Sequence, residues 1–212
     1  MPGAAPRIVF DTSALLDLFG VWSDDHRRRR GDLVLAVPLL GPLRPYLTSS
    51  EAIREEVHRH LVIGTDLERY LAFLPVDPRE LTGCPGYAPS RAADYSLVAL
   101  AARFERAGDR TFLITRDRTF VSDLARAGLC AQVVLPTGFA EAVTTLAGTD
   151  PRSQSLASRL QSNAYENLEY AVACARREGG SGAFLDWQQF LNARTAAKHD
   201  LVESLRGTGV VL

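Results

Sequence analysis

Two aspartates follow predicted buried strands, at positions where a protein could do chemistry. Asp11 comes directly after the apolar run at 8–10, and Asp117 follows the apolar run at 112–114 in the segment LITRD. In an open parallel sheet, ligands bind beyond the carboxyl ends of the strands. Two more acids lie near helix starts that the same topology brings to that edge. They are Asp94 and a glutamate of the segment SEAIREEV.

Each of these acids alone has a simpler explanation. An aspartate between a strand and a helix is commonly the helix N-cap, and an acid in a first turn is stabilised by the helix dipole. That explanation does not account for four acids at one edge of a sheet, because clustered carboxylates repel one another and raise each other's pKa. A bound cation would offset the repulsion, and hard oxygen ligands suit Mg²⁺ or Mn²⁺. The pattern therefore predicts a Mg²⁺ or Mn²⁺ site.

The elements that must position these acids alternate between short apolar strands and helical patterns through residues 7–146. Such alternation predicts βαβ units, with a mostly parallel central sheet and helices on both faces. The pattern changes at residues 148–151. A long amphipathic helix is expected at 152–177, a GGSG turn at 179–182, and a second helix from about Leu185 to Leu205. The predicted organisation is an α/β domain at 1–147 and a helical C-terminal extension at 148–212.

The bulk composition narrows the class of protein and its surroundings. The 212 residues are 46% hydrophobic and carry a formal net charge of −1, so a polyanion partner must be held by a local patch or through metal ions. The three cysteines lie far apart without CxxC spacing, which favours a reducing compartment. With no secretory signal or long apolar run in the sequence, we expect a cytoplasmic protein that does not engage a membrane.

Four stretches together resemble the PIN domain nucleases, over roughly residues 7–146. They are IVFDTSALL at 8–16, LTSSEAIREEV at 47–57, AADYSLVALA at 92–101 and FLITRDRTF at 112–120. The resemblance implies a three-layer PIN-like fold. It also implies an endoribonuclease that depends on Mg²⁺ or Mn²⁺ and hydrolyses RNA phosphodiester bonds. Small PIN toxins are shorter and lack a helical tail, so the choice between a toxin and an RNA-processing role stays open.

The resemblance also assigns roles to individual residues. It implies that four acids hold one or two divalent ions and carry catalysis: Asp11, Glu55, Asp94 and Asp117. Hydrogen bonds from three neighbours would support them: Thr12, Ser13 and Thr115. Spacing from Thr48-Ser49 favours Glu55 as the second acid. Glu56 and Glu51 stay as alternatives, because Glu55 points nearly opposite the buried face of its helix and Glu56 lies at the flank of that face.

Three expectations concern partners. The run Arg27, Arg28, Arg29 and Arg30 lies in a charged connection at 23–32 and could neutralise RNA phosphates, although such runs are often merely solvated. The apolar stripe of the tail needs a partner surface, either its own domain or a second copy, and we favour a homodimer. A protein inhibitor is left open. The competing interpretation of the whole chain is a PIN-like scaffold or nucleic-acid-binding module without catalysis.

Overall fold

The computed structural model describes residues 5–22, 29–33, 37–59 and 65–212. Strands within these ranges are β1 (Pro6–Phe10), β2 (Gly20–Trp22), β3 (Arg29–Leu33), β4 (Leu47–Ser50), β5 (Ala72–Leu74), β6 (Arg110–Ile114) and β7 (Gln132–Val134). Helices are α1 (Thr12–Phe19), α2 (Glu51–Val57), α3 (Thr65–Tyr70), α4 (Pro78–Thr82), α5 (Ala92–Arg106), α6 (Thr119–Arg126), α7 (Pro136–Leu146), α8 (Pro151–Asn192) and α9 (Thr195–Arg206). Two 3₁₀ segments cover Val37–Tyr46 and Pro89–Arg91.

The central sheet has five parallel strands in the order β5-β4-β1-β6-β7. β1 is the middle strand, where Ile8 pairs with Leu47 on one side and with Phe112 on the other. A strand covered on both faces reads as a continuous apolar run, and Ile8, Val9 and Phe10 are each at most 1% exposed. The flanking helices complete a three-layer arrangement. The predicted α/β fold with a mostly parallel sheet is thereby confirmed.

The charged connection at 23–32 includes part of a small antiparallel ribbon. β2 pairs with β3, with Val21 opposite Arg30 and Trp22 opposite Arg29. Arg27 and Arg28 lie outside the described residues, and only the backbone of Arg29 and Arg30 is described. The phosphate-binding role of this arginine run stays a prediction.

The tail differs from its predicted form. The expected GGSG turn at 179–182 is absent, because α8 runs without interruption for 42 residues through that stretch. A glycine inside a helix costs only about 1 kcal/mol relative to alanine, so it ends a helix chiefly where it adopts a positive φ. The positive-φ glycines of the described ranges lie elsewhere, and Gly148 just before α8 is one of them. The break falls instead at Ala193 and Arg194, before α9.

Both tail helices pack on the α/β domain of the same chain. α8 lies against α1 and α7, and α9 lies against α7 and β7. Their buried side chains belong to the same hydrophobic cluster as the sheet: Ala157, Leu160, Ala164, Ala197, Leu201, Val202 and Leu205. The predicted boundary at residues 147 and 148 falls in the loop between α7 and α8, but the core continues across it. The apolar stripe therefore has a partner within the chain, and the homodimer stays a prediction.

Among the helices of the described residues, none combines the length and the apolar character that crossing a bilayer requires.

Candidate active site

Asp11 occupies the carboxyl end of β1 and is also the N-cap of α1. Its Oδ1 accepts a hydrogen bond from the backbone N–H of Thr12 at 2.7 Å. Its Oδ2 accepts from the Ser13 hydroxyl at 2.6 Å and from the Thr115 hydroxyl at 2.7 Å. The Ser13 backbone N–H lies 3.3 Å from the same oxygen. The helix-cap explanation of Asp11 thus holds, and the two hydroxyls add contacts that a cap does not need.

The electrostatic state of Asp11 follows from its burial. Only 5% of the residue is exposed, and this desolvation raises the pKa of Asp11 from 3.8 to about 6. Hydrogen bonds from Ser13 and Thr115 lower the pKa, while the charge of Asp94 raises it further. Ionised Asp11 is therefore held at a cost in free energy, which a nearby cation would reduce.

The loop after β6 wraps around Asp11. Thr115 is fully buried, and its hydroxyl accepts a hydrogen bond from the backbone N–H of Asp117 at 2.9 Å. The backbone N–H of Arg116 donates to the Ser13 hydroxyl at 3.1 Å. These bonds place Asp117 near Asp11, with a side chain that also accepts from the Thr119 N–H at 2.8 Å.

The second acid at this edge is Glu56. The Thr12 hydroxyl donates to Glu56 Oε2 at 2.7 Å, whereas Glu55 is exposed to solvent. The structure therefore favours Glu56, one of the two alternatives, over Glu55 as the acid at this edge. The reason is the rotation of about 100° per residue in α2, which buries Ile53 and Val57 and leaves Glu56 beside that face. Sequence spacing favoured Glu55, whereas the position of Glu56 beside the buried helical face indicated the residue that the structure places at the edge. Glu51, the other alternative, is also exposed.

Asp94 lies in the first turn of α5, at the same edge. Burial raises its pKa most, Arg91 lowers it, and the charges of Asp117 and Glu56 raise it further. Asp11, Glu56, Asp94 and Asp117 thus form one electrostatically linked group, which we call the acidic edge. Three of the four acids predicted from the sequence belong to it.

Arg91 is a residue of this region that the sequence interpretation missed. Its Nε donates to Asp94 Oδ2 at 2.8 Å. Its Nη2 donates to Asp123 Oδ2 at 2.8 Å and to the Thr119 hydroxyl at 2.9 Å. Asp123 is buried and also pairs with Arg126 at 3.2 Å. The spacing of Arg91 three residues before Asp94 was a usable signal, because such pairs meet on a helix.

A second missed pair lies deeper beside the acidic edge. Asp17 of α1 is 1% exposed, and its Oδ1 lies 3.5 Å from Arg116 Nη1. Arg116 directly precedes Asp117, so this ion pair ties the loop after β6 to α1. Its sequence signal was an acid one turn after Ser13 in DTSALLD, on the side of α1 that the apolar pattern predicts to be buried.

The donor set has the right chemistry for a hard divalent cation, with four carboxylates and supporting hydroxyls. In the described ranges, however, no group of three or more His, Cys, Asp or Glu side chains lies close enough together to hold a metal ion. Arg91 provides a physical account of part of this spacing, because it engages one oxygen of Asp94. The chemistry of these residues fits the ion. A shared site would form only if their side chains moved closer to one another.

No family model, curated protein or solved structure matches the chain. The likeness to PIN domain nucleases therefore depends on the four sequence stretches already given. The membership itself stays a prediction.

Proposed function

We propose that the protein is a Mg²⁺- or Mn²⁺-dependent endoribonuclease that hydrolyses RNA phosphodiester bonds at the acidic edge. The observation that carries the proposal is the buried carboxylate of Asp11. It is held by two hydroxyls, and burial, with a smaller contribution from the charge of Asp94, raises its pKa to about 6. Carboxylates with strongly shifted pKa values cluster at functional sites. The choice of RNA comes from the PIN resemblance.

Each member of the acidic edge has a definite task in this proposal. Asp11, Glu56, Asp94 and Asp117 would hold the divalent ions. When bound, such ions activate water for in-line attack and offset charge on the leaving oxygen. Ser13 and Thr115 fix the orientation of the Asp11 carboxylate, since both hydroxyls donate to its Oδ2. Thr12 does the same for Glu56.

The two adjacent glutamates offer a matched test of the site. We expect Asp11→Asn and Glu56→Gln to reduce cleavage of single-stranded RNA in Mn²⁺ by at least roughly 100-fold, because even outer hydrogen-bond partners of metal ligands cost 10–100-fold. Glu55→Gln changes the charge by the same amount one residue away, and we expect it to retain activity. EDTA should abolish RNA cleavage by the wild type. Equal cleavage by wild type and Asp11→Asn would identify a contaminant and end the proposal.

The runner-up is a PIN-like binding module without catalysis. The observation that favours it is the engagement of Asp94 by Arg91, which supplies a protein cation where the nuclease would use metal. A module of this kind would bind RNA with equal affinity in Mn²⁺ and in EDTA and leave it intact. Filter binding beside the cleavage assay separates the two functions.

A further inference from the structure

Arg91 is held in place by three hydrogen bonds and one ring contact. Beyond its bonds to Asp94, Asp123 and Thr119, its guanidinium lies 5.4 Å from the centre of the Tyr95 ring. The side chain is 33% exposed, so much of it is shielded from water. A cation anchored at several points loses little entropy on keeping its position at the acidic edge.

Asp123 is paired with a second arginine besides Arg91. Arg126 also reaches Asp123, with Nη1 3.2 Å from Oδ1, while Arg91 takes Oδ2. Asp123 therefore has two arginines, and Arg91 is the one that it shares with Asp94. Arg126 carries the same charge and makes a bond to the same Asp123 carboxylate, so the two arginines form a natural comparison.

We propose that Arg91 is an internal cation that competes with a divalent ion for Asp94. The guanidinium occupies Asp94 Oδ2, and a divalent ion on the same carboxylate would meet its positive charge. A divalent ion thus competes with Arg91 for Asp94, and Arg91 raises the metal concentration at which the acidic edge fills. This inference rests on the metal site of the proposed function, but it concerns affinity for the ion and not the reaction.

The test is a Mn²⁺ titration of the full chain, with bound and free Mn²⁺ separated by electron paramagnetic resonance. We expect Arg91→Met to bind Mn²⁺ roughly two- to fivefold more tightly than the wild type, the range that a partly exposed ion pair supports. Arg126→Met removes an equal charge from the same carboxylate, and we expect its affinity to stay near that of the wild type. Equal tightening by both variants would mean a general charge effect and would overturn the specific role of Arg91.

Two further variants distinguish competition from simple support of the site. Asp123→Asn releases Arg91 toward Asp94, so we expect weaker Mn²⁺ binding, opposite in sign to Arg91→Met. If Arg91 merely held Asp94 in a productive position, both changes would weaken binding, and the proposal would fail. In an Asp94→Asn background, Arg91→Met should no longer change the affinity, because the shared carboxylate is gone.

The inference and the proposed function fail in different ways. If the wild type binds Mn²⁺ and cleaves RNA but Arg91→Met binds no more tightly, the inference is wrong and the function stands. If Arg91→Met tightens Mn²⁺ binding while no variant cleaves RNA, the function is wrong and the inference stands. If neither wild type nor Arg91→Met binds Mn²⁺, both are wrong.

Discussion

The acidic edge and the tail helices bury side chains under opposite energetic conditions. At the acidic edge, Asp11 is almost fully buried although burial opposes its charge. In the tail, Leu160, Leu201 and Leu205 are fully buried, and each gains free energy by leaving water. The comparison indicates that apolar burial in the tail offsets part of the free energy that the charges of the acidic edge cost.

Deleting the tail is the most severe way to break this comparison. We expect a chain truncated after Gly148 to be largely unfolded or insoluble, because it loses the buried side chains of α8 and α9. A buried leucine contributes roughly 1.5–3 kcal/mol, and domains are stable by only about 5–15 kcal/mol. Circular dichroism and sedimentation of the truncated chain provide the measurement. A soluble, cooperatively melting truncation would show that the tail is an independent addition.

A single core position measures the same effect more gently. We expect Leu205→Ala to lower the free energy of unfolding by about 2–5 kcal/mol, since Leu205 is fully buried in the shared core. Val211→Ala is the control, because Val211 is 76% exposed and should change stability by less than about 0.5 kcal/mol. Urea unfolding gives both values. Adding Mn²⁺ should leave the difference unchanged, and a difference that Mn²⁺ removes would tie this position to the acidic edge.

The acidic edge should respond to pH, unlike the tail. The pKa of Asp11 is about 6 in the folded protein, above its ordinary 3.8, so ionisation of Asp11 opposes folding. The cost is absent below pH 4, grows between pH 4 and 6, and reaches about 3 kcal/mol above that window. In EDTA, we expect the wild type to lose this much stability relative to Asp11→Asn between pH 4 and 7.

Urea unfolding of both proteins at four pH values checks this expectation. At pH 7, Mn²⁺ should restore stability to the wild type and give Asp11→Asn a smaller gain, because a ligand that binds only the folded state stabilises it. Parallel pH curves for the two proteins would mean that Asp11 is an ordinary helix cap.

A smaller effect tests the polar contact that joins the tail to the site. Asn167 is fully buried, and its amide donates to the backbone carbonyl of Asp17 at 2.8 Å. We expect Asn167→Ala to cost about 1 kcal/mol, the low end of the range for removing a buried partner, because Asn163 still donates to that carbonyl. Asn192→Ala, at an exposed position of the same helix, is the control in thermal melts. Equal melting temperatures for both variants would show that this hydrogen bond does not contribute to stability.

The sequence predicted the sheet and most of the acidic edge for a definite physical reason. The carboxyl ends of parallel strands meet at one edge, so Asp11 and Asp117 could be placed together from their positions after apolar runs. Spacing along the chain could not decide between Glu55 and Glu56, because only the orientation of α2 shows which of them faces the edge. The link from Arg91 to Asp123 could not be predicted, because it joins residues 32 apart in sequence.

The tail was predicted less well, because its partner surface belongs to tertiary structure. Periodicity correctly gave an apolar stripe with Leu160 and Ala164, but it could not show whether that stripe meets its own domain or a second copy. The glycines at 179–182 predicted a turn on local preference alone. Helical hydrogen bonding through that stretch of α8 outweighs this preference in the structure.

Helix α1 is fastened at both ends by different parts of the molecule. Its first turn is capped by Asp11, and its last carbonyls, of Asp17 and Leu18, accept hydrogen bonds from Asn163 of α8 at 3.0 Å and 2.7 Å. The eight residues of α1 span about 12 Å. Loss of the bonds from Asn163 would fray the last turn of α1, so amide exchange at Gly20, whose N–H donates to the Leu16 carbonyl, would speed up. The Thr12 amide at the other end of the helix would stay held by Asp11.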